Sequence, residues 1–480
     1  MAPGRARCYR QPVQLSNDID ALFASWRQSA TPDAVRSIEA LILEGRECAL
    51  CRINALDFAA LHNLDEEHVI GAFLHGARLG IFELQWNVLC PGCGGVLESG
   101  TSLKTVDQSE YSCSLCAAGY EPTLDEMVEA TFTVSPRIRK IAAHDPHSLP
   151  IWDYYRQVFW GSGVNFPADA EFEEIVERVV LDSLELMPGD RAILSLQLPA
   201  EFLIVFDPVV HMAQFIDVKG EPTRERQNLS FVLHKEHAPT GTTHMQPGPL
   251  RLMLENRTRV RTLPSVWIAG QELHDLLGRR RPFLTAKRLL TNQIFRDIYR
   301  TDTMDVDQRL KITSLTFLFT DLRGSTELYD RVGDLAAFDI VRAHFQLLTD
   351  IVAQQGGAVV KTIGDAVMAT FPSPERALKA ALRMREAING LRDDLILKIG
   401  IHEGPCLAVV LNERQDYFGQ TVNIAARVQG LATARSIFAT GQVVGDIGAS
   451  QLLDSSHIQA RSQQHALRGI SDKVTVFEIP

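Results

Sequence analysis

What most constrains the fold of this chain is an alternation of strand and helix periods in its last third, with acidic residues standing where strands end. SLTFLFTD, from Ser314 to Asp321, is a strongly apolar strand, and Leu328 through Thr349 carries apolar positions at helical spacing. GGAVVKTIGDAVMATF reads as two strands turning at Gly364 and Asp365, and ERALKAALRMREAIN as a second helix. LILKIGIHEG, SIFAT and KVTVFEIP supply further strands. A tight hairpin inside such an alternation predicts a mixed, mainly antiparallel sheet with helices on one face, in a domain spanning residues 311–480. The fold class of the whole chain is therefore expected to be α+β.

Asp321 closes its strand just before Arg323, Gly324, Ser325 and Thr326 open a helix, whose free amides are able to hold phosphate oxygens. Asp365 stands at the hairpin turn, where Gly364 permits the bend and leaves the carboxylate exposed. Either acid alone reads as a helix cap or a turn residue. Taken in order and at these separations, FTDLRGST, VKTIGDAVMATF and DYFGQTVNIAAR resemble the class III adenylyl and guanylyl cyclase domain over roughly residues 311–480.

That resemblance implies an adenylate cyclase, a phosphorus–oxygen lyase converting ATP to 3',5'-cyclic AMP and pyrophosphate with two Mg²⁺ or Mn²⁺ ions per active site. By the same resemblance Asp321, Asp365 and the backbone carbonyl of Leu322 hold the ions, and Gly324, Ser325 and Thr326 contact the phosphates. Lys361 and Asp416 fall where the family reads the purine. An ammonium donating to adenine N1 and a carboxylate accepting from the exocyclic amine complement adenine, whereas guanine reverses both groups. Asn423 and Arg427, four apart on one helix face, correspond to the transition-state residues, with Arg427 offering forked donors to the phosphoryl charge. No side chain is an obvious general base; His402 is expected to pack or hydrogen-bond at a strand end, and Lys398 is a secondary candidate for triphosphate charge. In the family the metal aspartates come from one domain and the remaining groups from its partner. A head-to-tail homodimer with two equivalent sites follows as the expected active form. The rival readings are a cyclase-like nucleotide-binding or dimerisation module without turnover, a guanylate cyclase, and a zinc-ribbon nucleic-acid-binding regulator.

Upstream, Cys90 and Cys93 in CPGC, and Cys113 and Cys116 in CSLC, have the spacing of two knuckles that close an all-thiolate structural Zn²⁺ site. Cys48 and Cys51, in ECALCRINAL, read as core thiols on one face of a helix, and Cys8 and Cys406 as inert single thiols. Residues 1–80 read as helical, 81–135 as a zinc ribbon between strands, 136–280 as a mostly β domain, and 281–310 as a helical connector running from about Leu284 to Tyr299. His234, His237 and His244 read as ordinary surface or hydrogen-bonded histidines in or beside the loop around Pro239 and Gly241. WNVLCPGC through FTVSPRI and the later FLTAKRLLTNQIFRDIYR look like the uncharacterised N-terminal module of some bacterial class III cyclases. That resemblance supplies no ligand; from its position ahead of the catalytic domain the module is expected to sense a small-molecule or protein regulator, to fix dimer geometry, or to serve as scaffold. A formal charge of −11 argues against a nucleic-acid scaffold, and the lack of a long apolar run or a secretory signal points to a cytoplasmic chain without membrane partners.

Overall fold

These signals become elements in a computed structural model that describes residues 17–107, 109–234, 241–299, 304–323, 330–391, 396–411, 413–432, 436–470 and 472–480. The chain divides into two units, one of Met1–Thr101, Ser109–Glu121 and Glu129–Leu284, the other of Ser102–Gln108, Pro122–Val128 and Thr285–Pro480.

The first unit opens with four helices, α1 (Asn17–Ser29), α2 (Pro32–Glu44), α3 (Ala55–His62) and α4 (Glu66–Arg78). Polar caps set the starts of α3 and α4: the Asn54 side chain accepts from the amides of Leu56 and Asp57, and that of Asp65 from the amide of His68. After Gly80 at φ 79° the period changes to strands: β1 (Phe82–Leu89), β2 (Val96–Gly100), β3 (Tyr111–Cys113), β4 (Ala118–Tyr120) and β5 (Val128–Val134). β1 lies between β2 and β5, while β3 and β4 form a separate ribbon. Two short helices, α5 (Ile151–Tyr154) and α6 (Asp169–Val179), precede eight strands: β6 (Val180–Ser183), β7 (Arg191–Leu198), β8 (Phe202–Asp207), β9 (Met212–Val218), β10 (Gln227–Leu233), β11 (Thr243–Met245), β12 (Gly248–Asn256) and β13 (Ser265–Ile268). A helix, α7 (Gln271–Gly278), follows them.

These eight strands make two sheets, ordered β10-β12-β7 and β11-β9-β8-β13-β6. Leu203, Val205 and Ile216 from one sheet and Phe231, Leu250 and Leu252 from the other bury together, so the sheets pack face to face as a sandwich. The alternate residues of the larger sheet, Ile204, Phe206 and Trp267, turn the other way into an aromatic core with Trp152, Tyr155 and Trp160.

The second unit begins with two short helices, α8 (Ala286–Leu290) and α9 (Gln293–Ile298), where the periodicity predicts one. The break has a local cause. Thr291 Oγ1 donates to the Lys287 and Arg288 carbonyls, and Asn292 caps the next helix by accepting from Phe295 N at 3.0 Å. Then follow β14 (Leu310–Arg323), α10 (Asp334–Gln354), β15 (Ala358–Ile363), β16 (Ala366–Phe371), α11 (Pro374–Leu391), β17 (Ile396–Leu411), β18 (Arg414–Phe418), α12 (Gln420–Leu431), β19 (Ile437–Thr440), α13 (Gly441–Val444), α14 (Ile447–Ser455), β20 (Arg461–Ala466) and β21 (Lys473–Ile479). The helix predicted from Leu328 through Thr349 is interrupted: residues 330–332 are helical, Gly333 takes φ 80°, which a helix does not admit, and α10 begins at Asp334, while Leu328 lies outside the described residues.

The sheet runs β15-β16-β14-β17-β19-β21-β20 with β18 paired to β17; β17 and β19 are parallel and the other pairs antiparallel. α10, α11 and α14 bury Leu348, Leu378 and Leu453 against Leu318, Ala369 and Ile399. α12 lies on the opposite face, where Val428 packs with Phe438 and Val476. Helices on a single face were the expectation; glycines in β17 make the second face available. A Cβ on Gly400 would lie 2.1 Å from Gln429 N, and one on Gly404 2.8 Å from Thr421 Oγ1. The excursions 102–108 and 122–128 also belong to this unit: Gln308 Nε2 donates to the Leu103 and Val106 carbonyls, and Asp125 accepts from the amides of Thr313 and Ser314.

Candidate active site and cysteine cluster

Strand register brings the two aspartates to neighbouring strand ends. Thr320 pairs with Val367, so Asp321 is one step from the turn between β15 and β16, where Gly364 at φ 63° precedes Asp365. Both aspartates are half-buried. Lys398 is directly opposite Asp321 across β14 and β17, which puts the two side chains on one face of the sheet. Leu322 is buried. Gly324, Ser325 and Thr326 lie outside the described residues.

Lys361 and Asp416 meet: Nζ donates to Oδ2 at 2.5 Å, from the exposed end of β15 to a buried carboxylate on β18. The other oxygen, Oδ1, accepts from Tyr417 N at 2.8 Å, which fixes the carboxylate plane. Asn423 is exposed and Arg427 half-buried on α12. Arg427 Nη1 is buried with no hydrogen-bond partner, and the guanidinium runs alongside Gly469, where a Cβ would sit 3.5 Å from Nη2. A buried N–H donor without an acceptor is costly unless an anion completes it. Among the described residues, no hydrogen bond or ion pair joins Asp321 or Asp365 to Lys361, Asp416, Asn423 or Arg427.

His402 occupies the interior of β17 rather than a strand end. Its Nδ1 is 2.8 Å from Thr440 Oγ1, and burial pushes its pKa down to about 4. One neighbour of the site escaped the sequence. His344 on α10 is buried with neither ring nitrogen bonded; burial takes its pKa down to about 4 while the Asp365 charge pulls the other way. A histidine on the apolar face of a helix gives no sign of itself in sequence.

In the first unit, Cys90, Cys93, Cys113 and Cys116 converge, their sulfurs all within 4.8 Å of one another. Cys90 and Cys116 are 3.7 Å apart, as are Cys93 and Cys113. A tetrahedral Zn²⁺ with Zn–S bonds of about 2.3 Å sets its sulfurs about 3.8 Å apart, so the four thiols fit that ion. Hydrogen bonding shared among the four thiols lowers Cys90 and Cys116 and raises Cys93 and Cys113 from the ordinary thiol range. The first knuckle closes through Gly94 N donating to the Cys90 carbonyl at 2.8 Å, with Gly94 at φ 75°. Cys48 and Cys51 depart from the expected helix face: Cys48 lies in a 3-10 turn, Glu47–Leu50, and Cys51 follows it, its thiol raised by burial. Cys406 is buried and raised to about 12 by that burial, and Cys8 lies outside the described residues. Exposed His244 is 3.3 Å from Asp217, His234 N donates to Met212 Sδ, and His237 lies outside the described residues.

Comparison with known proteins places both halves. Residues 16–297, more than half of the chain, match a family of unknown function, DUF5939. The chain belongs to that family. Residues 308–478 match the adenylate and guanylate cyclase catalytic domain, so a class III cyclase domain follows the DUF5939 region with its four-cysteine cluster. Domains of this class act on nucleotides with divalent metal ions and dimerise.

An uncharacterized protein of Mycobacterium tuberculosis, Rv2212, is 34% identical over 125 residues, 26% of this chain and 32% of that protein. An adenylate cyclase of Anabaena cylindrica is 25% identical over 185 residues, 34% of this chain and 36% of that protein. The matches thus span about a third of the length of these relatives. The crystal structure of the adenylyl cyclase CyaB from P. aeruginosa is similar at 23% identity and a TM-score of 0.32, over 36% of this chain and 96% of that one. Among the described residues no helix is long and apolar enough to cross a membrane.

Proposed function

We propose that the protein is an adenylate cyclase, closing ATP to 3',5'-cyclic AMP and pyrophosphate in a site shared by two copies of the chain. The observation that carries this reading is the Lys361–Asp416 pair, a cation on β15 and a carboxylate on β18 held together at 2.5 Å. Such a pair complements adenine, with the ammonium donating to N1 and the carboxylate accepting from the exocyclic amine. Relatives named adenylate cyclase, including those of Anabaena cylindrica and Rhizobium meliloti, support the choice of base.

Asp321, Asp365 and the Leu322 carbonyl are the groups to hold two Mg²⁺ or Mn²⁺ ions, which when bound neutralise phosphate charge and lower the pKa of the 3'-hydroxyl. Arg427 receives the negative charge that develops between the α-phosphoryl group and the leaving pyrophosphate. Its buried, unpartnered Nη1 makes it ready for an anion. Asn423, one helical turn away, orients the ribose. Since among the described residues no hydrogen bond or ion pair ties the aspartates to the other four side chains, the site is read as completed across a two-fold homodimer. One Zn²⁺ held by the four cysteines is read as structural, because four thiolates leave no open position. The DUF5939 region holds none of the six catalytic-domain side chains and is read as the regulatory part of the chain.

Purified full-length protein supplied with Mn²⁺ and either ATP or GTP tests the reading, with cyclic nucleotide followed chromatographically. Cyclic AMP is expected, and Asp365→Ala should abolish it. Faster turnover of GTP than ATP would overturn the adenine assignment. No product above the Asp365→Ala control would instead leave a silent nucleotide-binding module.

A further inference from the structure

We infer that Arg296, on the helix just ahead of the cyclase sheet, is a positioning residue for purine selection, holding the two base-reading strands in register from behind. The inference rests on the assignment of Lys361 and Asp416 as the base readers. Arg296 Nη2 donates to two carbonyls, Gln415 O at 2.9 Å and Val360 O at 3.4 Å. These are the residues immediately before Asp416 and Lys361. One guanidinium nitrogen thus ties together the backbones that carry both members of the pair.

The β15 backbone is built to need such a tie. The register of β15 on β16 slips between Val359 and Lys361, so Val360 is a bulge residue with no partner across the ladder. A bulge re-aims the side chain next to it, and here that side chain is Lys361. Without an outside donor, the peptide before Lys361 is free to relax into regular pairing, which would turn Lys361 by one side-chain position. Gln293, one turn earlier on α9, adds a second hold: its Oε1 accepts from Val359 N at 2.8 Å.

The other strand is held in a matching way. Tyr417, the residue after Asp416, donates its hydroxyl to the Leu290 carbonyl at 3.2 Å and is itself met by Gln415 Nε2 at 3.1 Å. Asp416 is therefore flanked on both sides by residues bonded to the α8–α9 segment. No side chain of that segment needs to touch the nucleotide for this. The match to the DUF5939 family ends within α9, at residue 297, so the clamp comes from the end of that family's region and not from the cyclase match.

The test is made on the full-length chain. Arg296→Met keeps length and packing but removes the donors. It is predicted to raise the KM for ATP about tenfold, the scale of one charge-assisted hydrogen bond, and to narrow the ATP-over-GTP ratio, with kcat at saturating ATP changing far less. The ratio is read twice, from kcat/KM and from equilibrium Kd values for the two nucleotides. Lys361→Ala is the reference. If Lys361→Ala leaves the ratio unchanged, the base-reading assignment fails and the clamp falls with it. If Lys361→Ala collapses the ratio but Arg296→Met preserves it, base reading stands and the clamp is overturned. Adding Arg296→Met to Lys361→Ala should leave the ratio where Lys361→Ala put it; a further loss of similar size would show that the arginine acts elsewhere. Should Arg296→Met melt early, Arg296→Lys, which reaches one carbonyl at a time, carries the same comparisons with an intermediate loss expected.

Discussion

Replacing Gly400 by alanine should move the transition-state helix and leave the rest of the site in place. The Cβ would fall 2.1 Å from Gln429 N and 2.4 Å from Gln429 Cα, both backbone atoms that no rotamer change can withdraw. Ordinary contact begins at 3.4 Å, so α12 must retreat by about 1.3 Å at that point. Gln429 is half a turn beyond Arg427, and the displacement carries the guanidinium with it. Overpacking of this kind costs about 1–3 kcal/mol of stability, and a misplacement near 1 Å costs up to about 10²-fold in rate. Gly400→Ala is therefore expected to lower kcat with ATP by about ten- to a hundredfold, with KM nearly unchanged because Lys361 and Asp416 lie on other elements. Initial rates of cyclic AMP formation would be measured beside a thermal melt. Wild-type kcat in a variant with unchanged Tm would refute the close seating of α12 on β17.

Cys113→Ser should lose the one Zn²⁺ per chain that elemental analysis of the wild type is expected to show, and should destabilise the first unit; a wild-type protein without zinc contradicts the fit of the four sulfurs. For His402, burial depresses the folded pKa to about 4 against an unfolded value near 6.5, so the unfolded chain binds the extra proton between these values. Its contribution to stability is complete above pH 6.5 and is lost as pH falls toward 4, by about 2 kcal/mol at pH 5. His402→Asn, which keeps an acceptor near Thr440, should flatten the loss of urea stability between pH 7 and pH 5 by that amount. An unaltered slope would place the acid sensitivity elsewhere.

The cyclase sheet was legible because its strands are long, apolar and punctuated by residues with one structural use, such as Gly364 at φ 63° beside Asp365. Cys90, Cys93, Cys113 and Cys116 were legible for a similar reason, since their spacing leaves little else for them to do. What stayed hidden depends on tertiary approach. Gly400 and Gly404 look like incidental strand glycines until α12 is laid across them, so the second helical face was missed. Thr291 and Asn292 divide α8 from α9 through bonds to the chain's own backbone, which apolar periodicity does not register. Arg296 and His344 carry no motif at all. The first becomes notable only when the carbonyls of Val360 and Gln415 converge on it, the second only when α10 brings it near Asp365.

The central claim is a site shared between two chains, and complementation addresses it most directly. Asp321→Ala and Arg427→Ala chains are each expected to be inactive alone, because every site in either homodimer lacks a needed group. Mixed under conditions that allow exchange, they should regain cyclic AMP synthesis, with one intact site in each heterodimer. Heterodimers shown to be present by mass, yet without activity, would contradict the cross-chain arrangement.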